Sequence, residues 1–348
     1  MVNLDGSVGE GGGQMLRTAL VWSLITQTPF TMVKIRENRD KPGLKAQHLN
    51  VLKALRVMGP VGITGDQIGS RSVSFYPAAL KAVDATVDVG TAGSLTLLLQ
   101  TLLPVVLTTP GRSRFRLIGG TDVQWSPTID YLRNVVAGPA MLRAKLLKLD
   151  LVSRGYYPAG GGEILFEAEG WKDDVPPLER LERGRLVQIR VLASSSRALE
   201  ERRVAERMAA SASETLRRFR APVHEEVTYG DTRSPSCSIT CVADFAGGQK
   251  LGGSALGERG RSAEDVGKQA ADQLAKEIDS NAPVDEFAAD QLVPWLAMSG
   301  GAYRASVISE HTRTNVMITE RFLGSVIEIE GDVVRCRRPF AGSSRAGC

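Results

Sequence analysis

A glycine-rich run that leads straight into an apolar helical stretch occurs twice in the first half of the chain. This repetition restricts the fold more than any other feature. Gly9-Glu10-Gly11-Gly12-Gly13 follows a strand-like segment at residues 3–9. It precedes Met15, Leu16, Ala19, Leu20, Trp22 and Leu24, whose spacing predicts a buried helix. Ala85–Gly90 reads as a strand, Thr91-Ala-Gly-Ser94 as a tight turn and Leu95–Leu103 as a second buried helix. Gly9 and Gly12 align with Gly90 and Gly93 at a constant offset. Two similar units, each a few strands plus helices, are therefore expected over residues 1–80 and 81–180.

The pattern then changes. Residues 177–183 read as a polar connector and Val187–Leu192 as a strand. Leu199–Phe219 predicts an amphipathic helix with Val204, Met208, Ala212, Leu216 and Phe219 on one stripe. Strand-like runs follow at His224–Tyr229 and Cys237–Phe245, then a helix over residues 263–278. Together they describe a compact α/β module, closed off by Asn281-Ala-Pro283. Beyond it, Phe287–Met298 predicts a helix, and Val307–Ser309 and Asn315–Ile318 predict strands. The tail, residues 341–348, is expected to fray.

A chain of 348 residues accommodates two domains, or one domain carrying an insert. Hydrophobic residues at 43% and charged residues at 24% exclude disorder as the main state. No apolar run is long enough to span a bilayer, so no membrane role is expected. The opening Met1-Val-Asn-Leu-Asp-Gly6 lacks the basic-then-apolar order of a signal peptide, which points to the cytoplasm. Cys237, Cys241, Cys336 and Cys348 form no disulfide framework. Cys237-Ser-Ile-Thr-Cys241 alternates like a strand with both thiols on one face. The scattered His48, His224 and His311 disfavour a zinc site. A net charge of +4 permits a polyanionic substrate without demanding one.

Four segments hold residues able to do chemistry. In Gly9–Gln14, residues without side chains before a helix let backbone N–H groups approach a phosphate, but Glu10 repels one unless a cation such as Mg²⁺ bridges them. The same loop reads equally as a strand–helix turn with an exposed acid. Lys34–His48 is the densest basic segment, broken by proline and glycine into a strand end and loop. Its arginine forks suit a polyphosphate or an RNA end, and a solvated charge run is the other reading. His311, expected between two strands with Thr312, Arg313 and Asn315 around it, has an imidazole able to attack phosphorus, or a structural hydrogen-bonding role. Asp290-Gln291 reads on pattern alone as a helix cap.

Taken together, these segments resemble the RNA 3′-terminal phosphate cyclase family. The matching stretches are Asp5–Arg17, Ile35–His48, Gly93–Gln100, Gly119-Gly-Thr-Asp122, Arg154-Gly-Tyr-Tyr-Pro-Ala-Gly-Gly-Gly162, Ala289-Asp-Gln-Leu292 and Glu310-His-Thr-Arg-Thr-Asn315, in family order over nearly the whole chain. The resemblance implies an α+β fold whose large domain has three repeated units, each a four-stranded sheet with two helices, shared in outline with the enolpyruvyl transferases. It assigns residues 1–183 and 281–340 to that domain and residues 184–280 to a small α/β insert, which matches the family only in size and pattern.

The implied activity is ATP-dependent conversion of an RNA 3′-phosphate to a 2′,3′-cyclic phosphate, with ATP and Mg²⁺ or Mn²⁺ required. His311 matches the nucleophile that becomes adenylylated. Gln100, Pro127, Phe287, Ala288, Ala289, Asp290 and Gln291 match positions around the adenosine and its phosphate, Phe287 standing where some members have tyrosine. Glu10 matches an acid near the triphosphate and its metal. Arg17, Arg36, Arg39 and Gln47 match phosphate-binding positions, and Gln14 lies in the same segment as a substrate contact. Monomer and homodimer are both left open. Cyclase-like proteins of ribosome assembly that lack the histidine are the main alternative, and His311 argues against them. Enolpyruvyl transfer is a weaker rival, since only architecture is shared.

Overall fold

The structure is a computed structural model and describes residues 1–171 and 175–340, so the tail at 341–348 lies outside the described residues. The chain opens with β1 (Val2–Asp5), α1 (Gly13–Thr26), β2 (Phe30–Val33), α2 (Ala46–Met58), β3 (Gly62–Thr64) and β4 (Val73–Tyr76). It continues with β5 (Asp84–Asp88), α3 (Leu95–Thr108), β6 (Arg112–Gly119), α4 (Ile129–Tyr131), α5 (Gly138–Arg143), β7 (Ala144–Ser153) and β8 (Gly162–Trp171). After β9 (Leu178–Arg180) come β10 (Leu186–Ser196), α6 (Val204–Leu216), β11 (Val223–Gly230), β12 (Cys237–Phe245), β13 (Lys250–Leu256) and α7 (Ala263–Asp279). The last elements are α8 (Glu286–Ser299), β14 (Gly301–Arg304), α9 (Glu310–Leu323), β15 (Ile327–Glu330) and β16 (Val333–Cys336).

This is a mixed α+β fold with four four-stranded sheets. Three of them have one pattern: β1-β2-β4-β3, β5-β6-β8-β7 and β9-β14-β16-β15. In each, the first two strands are parallel and the other pairings antiparallel. One apolar core runs through these sheets and the helices α1, α2, α3, α8 and α9. The fourth sheet, β11-β10-β12-β13, has its own core with α6 and α7. Cys237 and Cys241 lie together in that core, where burial raises both thiol pKa values, Cys237 to about 11.

Four local expectations need correction. The connector at 177–183 contains β9, because pairing with β14 overrides a polar sequence of which Leu178 is buried. The helix expected from Leu199 begins only at Val204, since Arg203 has left-handed backbone (φ 49°) after a tighter turn at Arg197–Arg202. The strands expected at Val307–Ser309 and Asn315–Ile318 are absent. Ser309 instead caps α9 by accepting the Thr312 N–H at 3.3 Å. Finally, α8 is capped by Asp285, which accepts the Ala288 N–H at 2.8 Å, so Asp290 lies inside the helix.

Candidate active site

Helices α1 and α9 meet along a polar ladder. Gln14 bonds His311, Thr18 donates to Asn315 at 2.6 Å, and the Trp22 indole donates to Thr319 at 2.8 Å. Successive rungs are four residues apart on both helices, which sets the two helices parallel in register, with one face of each turned toward the other. Their N-termini therefore lie together. Asn315 also donates to the Asp290 carbonyl at 2.8 Å, which fastens α8 to the same seam.

His311 occupies the first turn of α9, about half exposed, with Nδ1 2.6 Å from Gln14 Oε1. The Gln14 amide nitrogen donates to Asp290 Oδ2 at 2.6 Å, so the Gln14 carbonyl faces the imidazole. Nδ1 therefore carries the proton, and the lone pair is left on Nε2. Asp290 Oδ1 is buried without a hydrogen-bond partner. Burial raises the Asp290 pKa to about 7, against the opposing hydrogen bond from Gln14 and the charge of Arg17.

The glycine loop turns beneath this pair. Gly9 and Gly11 both have φ +64°, and a Cβ on Gly9 would lie 2.5 Å from Thr314 Oγ1, which accepts the Glu10 N–H at 3.0 Å. Gly12 precedes α1 and, having no side chain, cannot cap it, which leaves the first-turn backbone donors without a side-chain partner. The Glu10 carboxylate pairs with Arg39 and lies 3.8 Å from His311 Nδ1, and its Oε2 is buried without a hydrogen-bond partner.

Cations line the other side. Arg17, half-buried, has its pKa pushed down to about 10 by burial, with Asp290 and Glu10 opposing. Arg36 has left-handed backbone (φ 56°) and a buried Nε with no hydrogen-bond partner. Gln47 sits in the first turn of α2, half-buried. His48, beside it, is 1% exposed, and sequence reasoning gave it no role. Its Nδ1 accepts the Lys45 N–H at 2.9 Å, so Nε2 bears the hydrogen, and it is buried without a partner against Gly13. Burial, then Arg17, Arg36 and Lys45, hold its pKa down at about 3, and the ring stays neutral.

Along α3, Gln100 donates to Gln291 at 2.6 Å, and one turn earlier Thr96 donates to the Pro127 carbonyl at 2.8 Å. Gln291 in turn donates to the Phe287 carbonyl at 2.7 Å, and the Phe287 side chain is 53% exposed. These contacts bring Pro127 and Phe287 to neighbouring turns of one helix. Gln14, Arg17, Gln100, Asp290, Gln291 and Asn315 all line one cleft. Ala288 and Ala289 are different: both side chains lie in the core, and the Ala289 carbonyl is taken by Tyr303 at 2.6 Å. Of the buried partners, Thr18 could have been found from its four-residue spacing to Gln14 on the apolar α1, whereas Thr314 and Asn315 on the polar α9 carry no such signal.

As a class, this is a mixed α+β protein that sets a histidine beside an uncapped helix N-terminus, next to a cleft lined by Arg17 and a glutamate paired with Arg39, a setting for anionic ligands. The chain belongs to the RNA 3′-terminal phosphate cyclase family, whose model matches residues 8–329. Similar curated proteins bear that name in Pyrococcus abyssi, 40% identical over 334 residues covering 96% of each chain, and in Thermococcus gammatolerans, 40% identical with 95% of each covered. A third, from Saccharolobus islandicus, is 38% identical with 98% of each chain covered.

Proposed function

We propose that this chain converts RNA 3′-phosphate ends to 2′,3′-cyclic phosphates at the expense of ATP, with His311 as nucleophile. The observation that carries the reading is the Gln14–His311 hydrogen bond, which leaves Nε2 unprotonated and oriented. Nε2 attacks the α-phosphorus of ATP, a P–N bond forms, the α–β P–O bond breaks, and pyrophosphate leaves with the electron pair. The imidazolium that develops keeps its Nδ1 proton against Gln14, whose amide is backed by Asp290. An oxygen of the RNA 3′-phosphate then attacks the same phosphorus and the P–N bond breaks, giving an RNA–adenylate anhydride. The vicinal 2′-hydroxyl attacks the RNA phosphorus and loses its proton, and AMP leaves. A phosphate monoester lacks a good leaving group, and AMP supplies one.

Arg17, Arg36, Arg39 and Gln47 are read as binding phosphate oxygens, with the His48 Nε2–H as a further buried donor. Gln100, Pro127, Phe287 and Gln291 are read as surrounding the adenosine. A divalent cation fits beside the unpartnered Oε2 of Glu10, where it would offset charge on the departing pyrophosphate. Among the described residues no three His, Cys, Asp or Glu side chains stand together as a metal site, so triphosphate oxygens would complete its coordination.

We read the three like-patterned sheets as repeats of one βαβαββ unit, shared in outline with the enolpyruvyl transferases. Residues 184–280 are read as an insert between β9 and α8 of the third unit. No helix among the described residues is long and apolar enough to cross a membrane, and a cytoplasmic location remains our reading. The test is incubation with α-labelled ATP followed by denaturation. Label retained on the protein supports the cyclase, whereas RNA binding without label would favour a non-catalytic binding factor.

A further inference from the structure

We propose that Tyr157, Trp125 and Arg233 form a stacking platform for the single-stranded RNA that precedes the 3′-phosphate, an inference that rests on the cyclase reading above. Tyr157 is 75% exposed and Trp125 is 95% exposed, so two large rings meet solvent with nothing packed on them. Trp125 also has left-handed backbone (φ 65°), a conformation that a bulky residue rarely adopts.

The loop that carries it is pinned. Ser126 donates to the Val123 carbonyl at 2.8 Å, Gln124 to Glu258 at 2.7 Å, and the Pro127 carbonyl is held by Thr96. The Tyr157 loop is held as firmly, by the Gly160 N–H on the Tyr156 carbonyl at 2.8 Å and the Ala159 N–H on Ser234 at 3.0 Å. The two loops share an anchor, since Thr121 N donates to the Gly155 carbonyl at 2.9 Å and Gly155 N to Thr121 Oγ1 at 3.1 Å. Arg233, between β11 and β12, is exposed and has no ion pair or hydrogen bond among the described residues. Its stem lies on Gly161, where a Cβ would come within 2.4 Å of Cδ and Nε. The nearby acids are engaged, Glu258 by Gln124 and Asp231 by Arg197.

A chain of close contacts leads from this platform toward the loop read as binding phosphate. Gln47 and Asn50 stand about one turn apart on α2, and Asn50 Nδ2, buried without a partner, lies 3.3 Å from where a Gly93 Cβ would stand. The Gly90–Gly93 turn is open at Gly90, and Gly160 presses on the backbone of Thr91 and Ala92. A strand leaving the arginines thus crosses a turn with little side-chain bulk before it reaches Tyr157. Aromatic faces beside an unpaired guanidinium suit bases and a phosphodiester backbone, which is why RNA and not a peptide is the occupant.

The test compares a 3′-phosphorylated single-stranded RNA of about ten nucleotides with a 3′-phosphorylated dinucleotide. Tyr157→Ala and Trp125→Ala are each expected to raise the KM of the longer RNA about tenfold, with the dinucleotide KM and labelling by α-labelled ATP unchanged. Arg233→Lys should recover part of the loss seen in Arg233→Ala. Trp22 and Trp295 are buried, so in a Trp171→Phe background acrylamide quenching reports on Trp125, and the longer RNA should shield it where ATP alone does not. Shielding by ATP alone, or equal KM changes for both RNAs, would overturn the platform. A chain that takes no label from ATP yet shields Trp125 with the longer RNA would overturn the cyclase reading and leave the platform standing.

Discussion

His311 Nδ1 lies 2.6 Å from Gln14 Oε1, so the imidazole proposed as nucleophile, late in the chain, is oriented by an amide early in it. The contact is one rung of a ladder whose lower rungs, Thr18–Asn315 and Trp22–Thr319, are buried and fix the register of α1 on α9. The ring's orientation is thereby a property of helix packing. His311→Asn should abolish retention of labelled AMP with no loss of fold, because the side chain is half exposed. Gln14→Ala should slow labelling about a hundredfold while the ATP KM stays near wild type, since it disturbs aim more than binding. Equal labelling rates in Gln14→Ala and wild type would remove the orienting role.

Asp290 makes stability depend on pH. Its carboxyl titrates at about 7 when folded, against 3.8 in the free side chain, chiefly because it is buried. The folded chain holds this proton across a window in which the unfolded chain has lost it. Stability therefore falls as pH rises from about 4 to 7. Asp290→Asn removes that loss, so its melting temperature should exceed wild type at pH 8, with the gain shrinking toward pH 4. A gain that is constant with pH would assign the effect to packing.

Gly13 tests the buried imidazole of His48. A Cβ at position 13 would stand 2.2 Å from His48 Nε2, and the ring cannot swing away without giving up the Lys45 N–H. Gly13→Ala should cost about 2 kcal/mol in urea unfolding, as overpacking of a tight site does. His48→Ala in the same chain should recover part of it, a coupling that a double-mutant cycle measures.

How much of this could be read in the sequence depended on where each residue's partners lay. α1 and α3 were readable because their glycine turns and apolar runs are local. α9 was not, since Thr312, Thr314, Asn315 and Thr319 are buried polar residues, which blur any apolar stripe. Thr314, Asn315 and Thr319 are satisfied by partners at the other end of the chain, Glu10, Thr18 and Trp22. β9 escaped for the same reason, being defined by its pairing with β14. The site residues fared unevenly. Family resemblance supplied Gln14 and Asp290, but the Asp290–Gln14–His311 chain needs three helices to exist, and the core positions of Ala288 and Ala289 follow only from how α8 packs.

The arginines of the basic loop should separate by their partners. Arg36 has a buried Nε without a partner, whereas Arg39 is already engaged by Glu10. Arg36→Ala should raise the KM for 3′-phosphorylated RNA at least tenfold, and Arg36→Lys should restore only part, because a point charge cannot reproduce a two-pronged contact. Arg39→Ala should also disturb the Glu10 carboxylate, and so slow labelling by ATP as well as RNA use. If both alanine variants cyclise RNA at the wild-type rate, these side chains are a solvated face.

Glu10 decides between a metal bridge and a structural acid. An acid at an uncapped helix N-terminus opposes the anion such a terminus attracts, unless a cation lies between. Arg39 satisfies one carboxylate oxygen, and Oε2 is left buried without a hydrogen-bond partner, the oxygen a divalent ion would use. Such an ion would offset charge while pyrophosphate departs and would be needed less once AMP is in place. Glu10→Ala should therefore slow enzyme labelling by ATP more than it slows ring closure of pre-adenylylated RNA, whose phosphorus already carries its leaving group. Across a titration of Mg²⁺ and Mn²⁺, the variant should also need more metal for the first step alone. Glu10→Gln keeps the bulk and removes the charge, so it should behave like Glu10→Ala if the charge holds a metal. Should the glutamine variant match wild type in both steps and in metal requirement, Glu10 acts by holding Arg39 and the glycine loop in place.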